Sequence, residues 1–355
     1  MIEVSAMWRF RRFRLLALSV LLVAAVVTVV VELRKIAPPE AARLLPGADA
    51  FIYVDLQWAR RATILTGLPQ VKRSPEYERF VQDSGIDFER DLEEAALAVH
   101  YPAAGSASAP RYSAVLTGHI DAARLEIYFR SQSRSTTTEQ GVEIYSIPLQ
   151  QGPLRAAILG PDMVALSNQE DAEVIRGVVV RSRKRASPFG GPSFLRSYYR
   201  RVPFASLAWV IARVDPKMST VALPQLPVGP GQLLQNPAVV VASARLIRAV
   251  HVRAEAFTAS PDEAQGLTEK LNALLTLLRF SEAETPSGGP DVDVKAFFQS
   301  LQVSQEKERA VLTATMPLGF VRKVFRDPSA EGEAALPAAT PQEAAGKPTR
   351  KATAR

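Results

Sequence analysis

The chain has 355 residues and no cysteine, which excludes disulfides, thiolate chemistry and Cys-type zinc or iron–sulfur sites. Histidine is nearly as scarce: His100, His119 and His251 are the full set, and no His-x-His or His-x-x-x-His spacing links them. A zinc site would have to gather ligands from distant parts of the chain. No Gly-x-Ser-x-Gly elbow, GxxxxGK or GxGxxG occurs, so the common nucleophile and phosphate-cradling signatures are missing. Ser304-Gln305-Glu306-Lys307 has the Ser-x-x-Lys form without its companion motifs and reads as a polar turn before a strand. Asp291 and Asp293 have the spacing of a hard-cation pair, but Asp293 reads as a helix N-cap. Glu93-Glu94 and Glu282 with Glu284 read as solvated helix ends. No catalytic residue, metal or cofactor is assigned.

What the chain does have is an apolar run of seventeen residues, Leu15 to Val31, without charge, proline or glycine. Such a run satisfies its own backbone as a helix in lipid. Glu32, Arg34 and Lys35 follow it and can snorkel, giving a transmembrane helix over 15–35. Arg9, Arg11, Arg12 and Arg14 precede it. That basic excess holds residues 1–14 in the cytoplasm and sends the rest across a bacterial inner membrane into the periplasm or cell exterior. A cleaved signal peptide is the competing reading. The run exceeds the roughly 7–15 residues of a typical signal core, and Val29-Val30-Val31-Glu32 offers no small-x-small cleavage site. A core helix would need a polar face, which the run lacks.

Apolar residues make up 47% of the chain, enough to bury a sizeable core in the roughly 290 residues between anchor and tail. Net charge is +7, and four of those charges are the topology arginines. The dense run Arg181-Ser182-Arg183-Lys184-Arg185 lacks interleaved aromatics and reads as the solvated C-terminal end of a helix. No nucleic-acid partner is expected.

Residues 36–47 hold Pro38, Pro39 and Pro46 and read as a stiff linker. Strands are expected at 51–56, 96–101, 112–117, 142–147, 154–159, 163–167, 204–214, 237–247, 250–258 and 309–315, from their β-branched and aromatic content. Ser74-Pro75 starts a helix that Gly85 closes, and Asp87 and Asp121 cap two more. Ser167-Asn168-Gln169-Glu170 reads as a capping box ahead of Val174, Ile175, Val178 and Val179. Ser260-Pro261-Asp262-Glu263 is the strongest helix start, with a leucine stripe from Leu267 to Leu278 behind it. Further helices carry Phe297 with Phe298 and Phe320 with Phe325.

Ala114 to Arg130 and Ala310 to Arg326 are identical at six of seventeen positions, which suggests an internal duplication. Consecutive strands leave no room for βαβ crossovers. The expected fold is α+β: mainly antiparallel sheets with helices on one face, in two related halves, 48–190 and 191–327, after the transmembrane helix. Residues 328–355, rich in Ala, Pro, Glu and Lys, are expected to be disordered. Residues 215–236 form a proline-rich loop with many apolar side chains, and Leu223, Leu226, Leu233 and Leu234 are its candidate partner contacts.

Leu44-Leu45-Pro46-Gly47-Ala48-Asp49-Ala50-Phe51-Ile52-Tyr53-Val54-Asp55-Leu56 resembles the "LP-x-(D)A-x-x-YV-x-L" opening of uncharacterised bacterial single-anchor envelope proteins. The resemblance implies one N-terminal anchor before a duplicated α+β outer domain. It brings no catalytic residues. The expected function is a membrane-anchored extracytoplasmic binding or scaffold module with envelope-protein or apolar partners. The alternative is a cell-envelope hydrolase built on Asp55, Asp121, His119 or His100, the polar groups nearest the strand ends.

Overall fold

The computed structural model describes residues 37–61, 73–102, 108–150, 152–184, 190–216, 233–283 and 292–324. The apolar run 15–31, the polar tail, Leu223 and Leu226 lie outside them. Among the described residues no helix is long and apolar enough to cross a membrane.

In chain order the described elements begin with α1 (Glu40–Leu44), β1 (Ala50–Asp55), α2 (Leu56–Arg61), α3 (Pro75–Ser84), α4 (Phe88–Asp91), β2 (Leu92–His100) and β3 (Arg111–Gly118). They continue with α5 (Ala122–Gln132), β4 (Ser135–Glu139), β5 (Val142–Leu149), β6 (Gly152–Gly160), β7 (Met163–Ser167), α6 (Glu173–Arg183) and α7 (Ser193–Tyr199). Then come β8 (Ala208–Val214), β9 (Ala238–Leu246), β10 (Val250–Phe257), α8 (Pro261–Ala283), α9 (Val292–Ser300), β11 (Gln302–Glu306), β12 (Arg309–Met316) and α10 (Leu318–Val324).

All these strands join one twelve-stranded sheet, in the order β11-β12-β10-β9-β8-β1-β2-β3-β7-β6-β5-β4. Every pairing is antiparallel. The β1–β8 pair, with Ile52 opposite Val210, divides the sheet into seven strands on one side and five on the other and serves as its midline. From it β1-β2-β3 runs outward one way and β8-β9-β10 the other. The similar segments 114–130 and 310–326 do not fall on matching strands: β3 is third from the midline on its side, β12 fourth on the other.

Strand alternation sends successive side chains to opposite faces. Phe51, Tyr53, Ala165, Trp209 and Ile211 pack on one face under α1, α6 and α7. Their neighbours face the other way, where α3 and α5 cover Tyr145, Ala156 and Val164. Beyond the midline, α8 covers Ala238 and Ala310. Helices therefore lie on both faces, not one, because these strands carry apolar residues at odd and even positions alike.

Several local readings change. Residues 40–44, placed in a linker, form a helix whose Ala41, Ala42 and Leu44 are fully buried. The segment Ser167–Glu170 makes no capping box. Ser167 stays in the sheet, its Oγ 3.0 Å from that of Ser113, and Asn168 accepts the Tyr112 N–H. The helix α6 starts later, with Asp171 accepting the Glu173 N–H at 2.9 Å. Asp293 lies within the first turn of α9 instead of capping it. Ser304 to Glu306 belong to β11, and the turn falls at Lys307, whose φ is 56°. Arg181 points inward, donating from Nε to the Leu44 carbonyl at 2.8 Å.

Candidate functional site

An apolar concavity lies where α3, α4 and α5 roof the sheet over β3, β5, β6 and β7. Local sequence fixes that roof. The Ser74 hydroxyl caps α3 by accepting the Tyr77 N–H at 3.2 Å, with Pro75 following. Gly85 ends the helix in the left-handed region, φ 77°, which glycine adopts without Cβ strain. Asp87 then caps α4 through the Glu89 N–H.

A polar clamp binds the two helices together. The Tyr77 hydroxyl donates to Asp87 at 3.3 Å and accepts the Phe88 N–H at 2.9 Å. Arg73 bridges Asp87 and Glu89. Asp91 accepts the Asp87 N–H at 2.8 Å, and its hydrogen bond from Arg90 is the chief cause that holds its carboxyl below the usual range. Behind the clamp, a chain of ring contacts runs from Phe88 through Phe80 and Tyr128 to Phe129 and Tyr145, with centroids 5.0–6.1 Å apart.

Beneath these rings is a cleft of about 270 Å³. Leu116, Ile120, Leu125, Ile147, Val164 and Leu166 line it, with the aromatics above. Among the described residues no charged side chain lines it. At its edge Phe88 is 38% and Leu149 54% exposed, so the mouth is apolar as well. The cleft can hold a hydrocarbon or aromatic group, and the Tyr128 phenol is the polar side-chain group among its described lining residues. Periodicity placed Leu125, Tyr128 and Phe129 on one helix face, but the space between that face and the sheet depends on tertiary spacing that sequence pattern does not carry.

The residues of the hydrolase alternative are split between the two ends of the sheet, His100 at one and Asp55, His119 and Asp121 at the other. His100 is paired with Arg111 and His119 follows Gly118, so they lie at opposite ends of the β2–β3 pair. Burial lowers the His100 imidazole pKa. His119 is exposed, 3.6 Å from Glu93. Asp121 serves as the N-cap of α5. Asp55 faces Glu94 across β1–β2. No group of three or more metal-ligating side chains occurs among the described residues.

The predicted contact loop is represented by its last leucines. Leu234 is buried against Leu267, Ala238 and Ala310, and Leu233 packs beside it. Both serve the core under α8, with Lys270 donating to the Leu233 carbonyl at 3.3 Å.

No protein-family model matches the chain, and no curated protein matches it. Crystal structures of TP0453 are weakly similar. Form I has a TM-score of 0.44 at 10% identity, covering 81% of this chain and 96% of that one. Form III has a TM-score of 0.41 at 10% identity, covering 81% and 98%. Likeness at that level carries no functional argument.

Proposed function

We propose that the chain is a single-anchor extracytoplasmic binding module that takes an apolar group into the cleft beneath α3 and α5. The observation that carries this reading is the cleft itself: about 270 Å³ of apolar-lined space. A cavity of about 150 Å³ lined by Leu, Ile and Phe stays dry and binds benzene. Unfilled space of this kind costs stability in proportion to its volume, and the exposed Phe88 and Leu149 at its mouth add apolar surface in water. An apolar occupant offsets both costs.

The anchor follows from the run Leu15–Val31 and the arginines before it, and the resemblance of residues 44–56 to single-anchor envelope proteins points the same way. The outward meanders from the β1–β8 midline support two related halves, with β1-β2-β3 answering to β8-β9-β10. That correspondence differs from the one drawn by the shared AVLT segment.

The test is a titration of the full-length protein, in nanodiscs, with the fluorescent apolar probe 1-aminoanthracene. Saturable binding above empty nanodiscs is expected, and Leu116→Trp, which fills the cleft, should remove it while the far-ultraviolet circular dichroism is kept. Equal binding by the filled variant, or none by the wild type, would overturn the reading.

A further inference from the structure

The end of the sheet nearest the anchor carries a second, unrelated feature. The described chain begins at Ala37, and Ala37, Pro38 and Pro39 line a cleft shared with Phe204, Ala205 and Ser206. Val31, the last residue of the apolar run, is six peptide steps from Ala37, at most about 22 Å of chain at full stretch. If the run spans a bilayer, this end of the sheet cannot lie far from the headgroups.

What this end presents suits a lipid surface. Residues 203–206 form a tight turn in which the Ser206 hydroxyl donates to the Pro203 carbonyl at 2.6 Å and Ala205 holds φ at +60°. The turn leaves Phe204 68% exposed. On the adjacent strand, the β9–β10 hairpin leaves Ile247 also 68% exposed. The two protrude at one end of the sheet, because Ala208 at the start of β8 pairs with Ala244 near the end of β9. Arg200 and Arg248 are exposed beside them and Arg245 is half-buried. None of these three forms an ion pair with a carboxylate among the described residues. Of the carboxylates at this end, Asp55 and Glu94 lie on β1 and β2, Glu40 lines the cleft it shares with Phe204, and Asp293 lies against Gly319 beyond β12.

We propose that the β8–β9 end of the sheet rests on the anionic bilayer surface, with Phe204 and Ile247 sunk among the headgroups and Arg200 and Arg248 against lipid phosphates. This combination of protruding apolar side chains and cations is what binds proteins to the interface. The inference rests on the anchor reading and fixes the orientation in which the anchored domain stands.

A cysteine-free chain makes the test direct. Single substitutions Phe204→Cys, Ile247→Cys, Ile127→Cys and Tyr112→Cys are labelled with NBD in the full-length protein and reconstituted into phosphatidylcholine–phosphatidylglycerol vesicles. Ile127 and Tyr112 are 71% and 39% exposed and serve as controls, Ile127 on α5 and Tyr112 opposite Val99 at the other end of the sheet. A nitroxide on the lipid acyl chains should quench the labels at 204 and 247 about threefold more than the controls. That difference should survive insertion of about twenty Gly/Ser residues after Ile36, which frees the domain from the anchor, and shrink with Arg248→Glu. Protein that floats with the vesicles but shows equal quenching at all four positions would overturn the docking and leave the anchor standing. So would quenching that vanishes with the longer linker. Protein that does not float at all would overturn the anchor and this inference together.

Discussion

Asp55 and Glu94 stand directly opposite each other on β1 and β2, two carboxylates on the face that carries Tyr53 and Tyr199. Burial, then the Asp55 charge, raises the Glu94 carboxyl above its ordinary value of 4.5. Burial, aided by Glu94, pushes the Tyr199 phenol up to about 12. Like charges placed opposite on a sheet destabilise it, so the pair weighs against the fold whenever both groups are ionised.

The first prediction follows from the sign of that shift. The folded state holds a proton on Glu94 more tightly than the unfolded state does. Stability from this group is therefore greatest below its ordinary value and falls as pH rises through the raised one. Glu94→Gln should stabilise the protein by about 0.5–1 kcal/mol at pH 7, within the range for cross-strand charge pairs. The gain should vanish near pH 4. Urea unfolding at both pH values checks it, and an equal gain at both would show that the charge is not responsible.

A second prediction concerns the corner where β3 meets α4. A Cβ at Gly118 would lie 2.1 Å from the Asp91 carbonyl oxygen, and that oxygen accepts the His119 N–H at 2.8 Å. Backbone cannot yield as a flexible side-chain tip can. Gly118→Ala should cost about 3 kcal/mol, at the upper end of overpacking effects. It should also weaken probe binding in the cleft, because Asp91 anchors the clamp that carries Phe88. An unchanged denaturation midpoint would refute this.

How much of this was legible in the sequence varies by residue. Ser74, Gly85, Asp87, Asp121 and Ser260 announced helix ends because capping acts within three or four residues of backbone, and each holds its expected place or next to it. The short edge strand Ser135–Glu139 gave no apolar signal because nearly all of it is exposed. Residues 40–44 were masked by flanking prolines, although their alanines are fully buried. The capping-box pattern at Ser167 lost to a cross-strand partner, Ser113, 54 residues away. The cleft was not legible: its lining was foreseen piecemeal as core, but the space between α5 and the sheet depends on long-range packing.

The third prediction separates core from contact at Leu234. The residue is 9% exposed and packs on Leu267, Ala238 and Ala310. Leu234→Ala should therefore cost about 2–3 kcal/mol, as buried leucine truncations do. The midpoint of thermal unfolding reads this directly. A variant as stable as the wild type would return Leu234 to the role of a partner contact.

The fourth prediction is the topology on which the orientation at the bilayer depends. Four arginines precede the apolar run, while Arg34 and Lys35 follow it beside Glu32. The positive-inside bias acts over the residues flanking a span, so the side with the larger basic excess stays in the cytoplasm. A reporter active only outside the cytoplasm, fused after Lys347, should be active. Replacing Arg9, Arg11, Arg12 and Arg14 with Gln should reduce that activity and raise the signal of a cytoplasmic reporter at the same position, because the remaining basic residues then lie beyond the run. If the original fusion is silent and the cytoplasmic reporter active, the orientation is reversed. The arginine-bearing end of the sheet would then face the cytoplasmic leaflet, whose anionic lipids would still attract Arg200 and Arg248. Vesicle quenching alone cannot discriminate the two orientations, which is why the fusion measurement must accompany it.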